Sequence, residues 1–228
     1  VHLIGVDLGR QNDFAAPVIF EDELVPKPRQ RAPLDMPPRY LDVPSLLVRR
    51  YNLVDMAAWR GVSYPQIAKR ISQMVASPLI SRDYILVVDA TGVGQAVMDI
   101  LRDDFHLSPI GVTFTSGKSV TQSVFGYNVP KRDLVVNMQV LFQMERIRIS
   151  EELELALEFK EELRHFTSEV DRVTKHESYE ADSGMVKDDL PMAAAIILWY
   201  AEQVLAGELE LPSGASSKPF NAATYGLS

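Results

Sequence analysis

Tyr84-Ile85-Leu86-Val87-Val88-Asp89-Ala90-Thr91-Gly92-Val93-Gly94 is the stretch on which the fold turns. An unbroken apolar run ends on an acid, and two glycines come shortly after it. Such a run, without polar alternation, is expected of a central strand covered on both faces. The glycines mark a turn, and Val97, Ile100 and Leu101 then fit the apolar face of a helix. The same grammar opens the chain. His2 to Leu8 alternates loosely and closes on Asp7-Leu8-Gly9, a strand followed by a turn.

The other elements extend outward from these two. Phe14 to Phe20 reads as the hairpin partner of the first strand, and Leu46 to Trp59 holds a third strand near Tyr51–Met56. Residues 26–44 carry six prolines among Lys27, Arg29, Arg31 and Arg39 and read as an irregular basic excursion. Ser63 is placed to cap a helix to about Ala76, with Ile67, Ile71, Met74 and Val75 on one face. Ile110 to Phe114 is a further strand, and residues 115–130 a Gly/Ser/Thr hairpin or loop. Leu134 to Ile147 is expected to be helical, Glu151 to Leu163 a charged amphipathic helix, and His165 to Tyr179 an exposed hairpin. Asp189 to Leu205 is apolar on nearly all sides, so it is a buried helix. A tail rich in Pro, Ser, Gly and Ala runs on from Gly207. The order predicts an α/β sandwich of mixed strand direction over residues 1–206, with 207–228 as a flexible tail.

Four places concentrate carboxylates: Asp7 and Asp89 at strand ends, Asp13 in the first turn, and Asp188-Asp189 before the apolar helix. Ligands of open α/β sheets bind beyond the carboxyl ends of parallel strands. If the first strand and Tyr84–Val88 are parallel neighbours, Asp7 and Asp89 converge, and a helix start at the same edge adds the pair. Oxygen ligands of this kind suit hard cations such as Mg²⁺. Taken singly, each aspartate has an ordinary explanation, as a turn residue or an N-cap. The conjunction of all of them is what points to a cation, because crowded acids repel unless a cation or proton relieves them.

Bulk properties bound the function. The 228 residues are 46% hydrophobic, enough for one sizeable core. No apolar run is long enough to span a membrane, and the opening Val1-His2-Leu3-Ile4 is not a signal peptide but a strand that begins at once, as in an excised domain. The absence of cysteine excludes disulfides and thiolate metal sites. A net charge of −8 argues against a nucleic-acid binder taken alone, but acids gathered for cations contribute to it and basic residues can cluster locally. The four histidines have no ligand spacing. Gly117-Lys118-Ser119 is not a P-loop, since the preceding glycine, Gly111, is one residue too far away.

Five stretches together resemble a known family: Gly5-Val6-Asp7-Leu8-Gly9 with Asp13; Arg60-Gly61-Val62-Ser63-Tyr64; Val87-Val88-Asp89-Ala90-Thr91-Gly92-Val93-Gly94; Val129-Pro130-Lys131 with Arg146-Ile147-Arg148-Ile149; and Lys187-Asp188-Asp189-Leu190-Pro191-Met192-Ala193-Ala194. In order and over residues 1–206, they resemble the nuclease domain of the large terminase subunit of tailed bacteriophages. The resemblance implies an RNase H-like, RuvC-type fold: a mixed central sheet flanked by helices, with an added β-hairpin. It implies Asp7, Asp89 and Asp189 as catalytic metal ligands, with Asp13 and Asp188 as auxiliary acids near the metals. Which of Asp188 and Asp189 ligates directly stays open, because neighbouring helical residues point about 100° apart. The implied cofactors are two divalent cations, Mg²⁺ or Mn²⁺. The implied reaction is hydrolysis of concatemeric viral double-stranded DNA with little sequence preference. The implied partners are the ATPase domain of the same protein, the small terminase and the portal, in the cytoplasm of an infected or prophage-carrying bacterium, with no membrane and no stable place in the virion.

Lys118 and Lys131 are candidate phosphate contacts, Lys131 also a candidate to stabilise developing charge; a solvated or capping role is the plain alternative for each. Arg49 and Arg50 belong to the most basic stretch and are candidates to track DNA backbone. The competing function is an actin/Hsp70/sugar-kinase-like ATPase module, which shares the Gly-x-Asp-x-Gly opening. Against it stand the length, the lack of a repeat, and the acid pair before the last helix. An idle interaction module whose acids only cap helices is the third reading.

Overall fold

The Tyr84–Asp89 stretch forms a strand near the middle of a single eight-stranded mixed sheet. The computed structural model describes residues 1–9, 14–26, 47–80, 83–174 and 188–206. In chain order the strands are β1 (His2–Gly9), β2 (Phe14–Pro26), β3 (Leu47–Met56), β4 (Tyr84–Asp89), β5 (Ile110–Thr115), β6 (Thr121–Ser123), β7 (Gly126–Pro130) and β8 (Ile147–Ile149). The helices are α1 (Tyr64–Val75), α2 (Gly94–Asp103), α3 (Lys131–Gln143), α4 (Ala156–Thr174) and α5 (Asp189–Tyr200), the last continuing as a π turn, Ala201–Leu205.

The strand order is β6-β7-β5-β4-β1-β2-β3-β8. The first three strands form an antiparallel meander, and β4 and β5 add in parallel on the other side of β1. This is the expected mixed sheet flanked by helices, and β6 pairs with β7 as an added antiparallel hairpin. No described helix is long and apolar enough to cross a membrane.

Two cores lie on the two faces. Ile4, Val6 and Leu8 of β1, with Leu86 and Val88 of β4, pack beneath α1 and α2. Leu3 and Val87 face the other way, into the larger core made with α3, α4 and α5. Side chains alternate along a strand. Asp7 and Asp89 therefore share the face of Leu3 and Val87, the one that α5 covers. Helix α5 needs no amphipathic pattern there, since all its residues from Leu190 to Trp199 are buried.

Gly5 sets how closely α5 lies on the sheet. A Cβ at this position would stand 2.0 Å from the carbonyl oxygen of Ala193 and 2.9 Å from Ile197 Cγ2. Only glycine permits this approach.

Several expected boundaries differ. The expected helix from Leu134 to Ile147 begins earlier, at Lys131, and ends at Gln143. Glu145 takes a left-handed backbone (φ 55°) and the Arg146 amide bonds to the carbonyl of Leu141, which stops the helix. Ile147-Arg148-Ile149 then alternates as a strand parallel to β3. The charged helix begins at Ala156, not Glu151. It continues through Thr174, so residues 165–174 are helix and not part of an exposed hairpin. Buried Phe159 and Phe166, seven residues apart, carry the helical stripe past Leu163. The basic excursion, Asp13 and the tail from Gly207 lie mainly or wholly outside the described residues.

At the far end of α5, Glu202 is buried in the π turn and fully partnered. Arg146 grips it with two hydrogen bonds of 2.6 Å, and the Tyr51 hydroxyl donates to it. Burial, and then the Glu202 bond, push the Tyr51 phenol well above its ordinary range.

Gly5→Ala is expected to lower stability by about 1–3 kcal/mol, the usual cost of overpacking a closed interior. A thermal melt or urea titration reads this directly; an unchanged midpoint means that α5 does not lie against β1 as described.

Candidate metal centre

Asp7 and Asp89 come together because β1 and β4 are parallel neighbours in register. Val6 pairs with Val88, which sets the two acids side by side at the carboxyl edge. Both are buried, with 7% and 4% of their surface exposed. Asp89 is fixed by the loop after it: the Thr91 amide donates to Asp89 Oδ1 at 2.7 Å. Thr91 Oγ1 in turn accepts from the Phe114 amide of β5 at 3.0 Å, and the Ala90 amide bonds to the Val112 carbonyl. Gly94 closes the loop where a Cβ would meet the carbonyl oxygen of Asp89 at 1.7 Å.

The third contribution comes from α5. Ala193 and Ile197 touch Gly5, and Asp189 stands one helical turn before Ala193. Residues four apart lie on one helix face, so Asp189 continues the stripe that faces β1, beyond Gly5, where Asp7 stands. Its neighbour Asp188 is turned away from that stripe and pairs with Lys131, Nζ to Oδ2 at 3.1 Å. Lys131 is the first residue of α3 and comes directly after β7 at this same edge.

The electrostatics agree with this placement. Burial first, then the charges of Asp89 and Asp189, a hydrogen bond with Asp89, and the charge of Asp188 hold the Asp7 carboxyl well above the carboxylate range. A hydrogen bond between two carboxyls requires a proton on one of them. The site therefore gathers more negative charge than its own groups offset, although the positive end of α5 is aimed at it. Among the described residues, no three acids or histidines are already drawn together as a formed ion site. The acids are held by one another and by Lys131. The donor set is nonetheless oxygen only, with Asp7 and Asp89 buried, which fits a hard divalent cation in exchange for the shared proton.

Glu162 is the residue that the sequence did not single out. It is 7% exposed on α4, and its Oε2 accepts the Leu190 amide at 3.1 Å, capping the start of α5. In sequence it is one glutamate among many in a charged helix. Only its helical spacing from Phe159 and Phe166 marks the buried side.

The remaining candidates lie elsewhere. Lys118 is exposed in the turn after β5, at the carboxyl edge. No helix comes after that turn, in keeping with the rejected P-loop. Arg49 and Arg50 are not brought to the acids. They pair with Asp22 and Glu23. Glu23, opposite Arg50, is seven residues along β2 from Ala16, which is opposite Asp7, so they stand roughly 24 Å toward the other edge. Trp199 is core, edge-on to Tyr127 at 5.6 Å. Asp13 lies outside the described residues.

No family model matches the chain, and no curated protein does. Solved structures do. The chain is similar to the large terminase nuclease from thermophilic phage G20c with bound cobalt, at 17% identity and a TM-score of 0.47, over 87% of this chain and 80% of that one. It is similar to the large terminase nuclease domain of bacteriophage SPP1 with bound Mn, at 12% identity and TM-score 0.43, over 89% and 85%. The human cytomegalovirus terminase nuclease domain matches at 11% identity and TM-score 0.47, over 90% and 85%. All three TM-scores are below 0.5 and all three identities below 25%, so neither a family nor a residue role is carried across from them.

The raised Asp7 carboxyl has a measurable sign. Between the unfolded value near 3.8 and its higher folded value, the native state holds more protons than the unfolded one. Its contribution to stability is therefore present at low pH and lost as pH rises through the folded value. In chelator, the melting temperature of Asp7→Asn should match wild type near pH 4 and exceed it by a margin that grows with pH, then levels off. A constant difference across that range contradicts the crowded-acid geometry.

Proposed function

We propose that this chain is a divalent-metal-dependent endonuclease that hydrolyses phosphodiester bonds of double-stranded DNA. The observation that carries the reading is the convergence of buried Asp7 and Asp89 with the start of α5 at one sheet edge. Asp7, Asp89 and Asp189 are the catalytic ligands in this reading. The stripe Asp189–Ala193–Ile197 over Gly5 supports Asp189 over Asp188 as the direct ligand. Asp188 stands beside it as a secondary ligand, and Asp13 is a further acid near the ions.

Asp7, Asp89 and Asp189 would hold two Mg²⁺ or Mn²⁺ ions, which would supply Lewis-acid activation of a water and charge stabilisation at the leaving oxygen. The chain's own part is to fix the carboxylates. The Asp89–Gly94 loop holds one, the β1–β4 register holds the second, and Glu162 anchors the helix that bears the third. Lys118 and Lys131, both at the carboxyl edge, contact phosphates, which bind without reading bases, so cleavage is tolerant of sequence. The motif resemblance supplies the setting: cutting of concatemeric viral DNA during genome packaging in a bacterial host, alongside an ATPase domain, a small terminase and a portal.

Incubation of supercoiled plasmid with Mn²⁺, Mg²⁺ or chelator tests this. Nicked and linear products at many positions are expected with metal, none with chelator, and a loss of more than about 100-fold for Asp7→Asn. Cleavage that survives chelation, or that needs one recognition sequence, refutes the reading.

A further inference from the structure

Two adjacent acids before a helix are ordinarily explained as capping, and the structure removes that explanation for Asp188. Asp188 occupies the N-cap position of α5 yet makes no side-chain cap bond. An N-cap side chain would accept the amide two or three residues on. That amide, of Leu190, is taken by Glu162 from α4. The Asp188 carboxylate is thus released from the helix and is held by Lys131 instead.

Lys131 stands where a cation is locally unfavourable. It is the first residue of α3, and the amino end of a helix favours negative charge. A position that breaks a local rule asks for a compensating gain. Here the gain is Asp188, at a site otherwise crowded with acids.

We propose that Lys131 is a built-in counter-cation of the metal centre. Its ammonium holds Asp188 in the metal-free protein, and a divalent cation that uses this carboxylate must displace it. The inference rests on the metal-centre reading and adds a competitor to it. Lys131 then sets the ion concentration at which the centre loads. Once displaced, its ammonium remains at the carboxyl edge, where phosphate arrives.

The test is Mn²⁺ titration without DNA, by calorimetry, with electron paramagnetic resonance to count bound ions. Wild type, Lys131→Met, Asp188→Asn and the double variant are compared, with Lys69→Met, exposed on α1 across the sheet from the site, as a charge-matched control. Lys131→Met is expected to bind Mn²⁺ about two- to fivefold more tightly, the upper range for a half-exposed ion pair opposing an ion. In the Asp188→Asn background the same change should alter affinity less than about 1.5-fold, and Lys69→Met should have no effect. Equal or weaker binding by Lys131→Met overturns the proposal. So does tightening of the same size without Asp188, which would be bulk charge alone. Lys131→Gln, which keeps polarity and loses charge, replaces the Met variant if circular dichroism shows that the latter misfolds. Wild type that binds no Mn²⁺ overturns the metal-centre reading as well; wild type that binds, with Lys131 indifferent, overturns only this inference.

Discussion

The contact between Gly5 and the backbone of Ala193 is the constraint on which the rest depends. It lets a wholly apolar helix lie on the central strand with nothing between them. Because α5 runs antiparallel to β1, this contact also fixes where the helix begins: over Asp7. A side chain at position 5 would stand 2.0 Å from the Ala193 carbonyl oxygen and force the helix away from the strand. Sites of this kind need their groups held to a fraction of an ångström. The packing of one glycine therefore governs the geometry of the acids.

The two ends of α5 show opposite solutions to buried charge. At its far end, Glu202 meets a bidentate guanidinium and a phenol, so the carboxylate is balanced within the protein. Such a closed network is structural, and its removal in part would leave an uncompensated charge. At its near end, Asp7 and Asp89 face each other and Asp189 with too little positive charge to match. A carboxyl perturbed by burial and neighbouring acids, as Asp7 is, is a mark of functional sites. One helix thus ends in a closed ion pair and begins at a cluster of acids that raise the charge cost of Asp7.

Much of this was readable in the sequence where one physical cause acted alone. The Tyr84–Val88 run meant a strand covered on both sides, and β4 is one. Asp7 and Asp89 end comparable strands, so parallel adjacency was enough to join them. The apolar helix after Asp188-Asp189 is buried as its composition required. Legibility failed where distant partners decide. Ile147–Ile149 is too short to be told from a helix end until β3 offers it an edge. Glu162 is indistinguishable from its solvated neighbours until the Leu190 amide reaches it. Arg49 and Arg50 read as a basic stretch, yet Asp22 and Glu23 across β2 neutralise them.

The placement of the acids also bears on how the chain folds. Asp7 is on the first strand and Asp189 on the last helix, so their meeting closes nearly the whole described chain into one loop. Contacts of such long sequence separation are slow to form, since loop closure precedes any reward. The meander β1-β2-β3 can assemble from local pairings long before α5 settles against Gly5. Bringing the acids together is then among the last events of folding, and an ion that binds there stabilises only chains that have completed it.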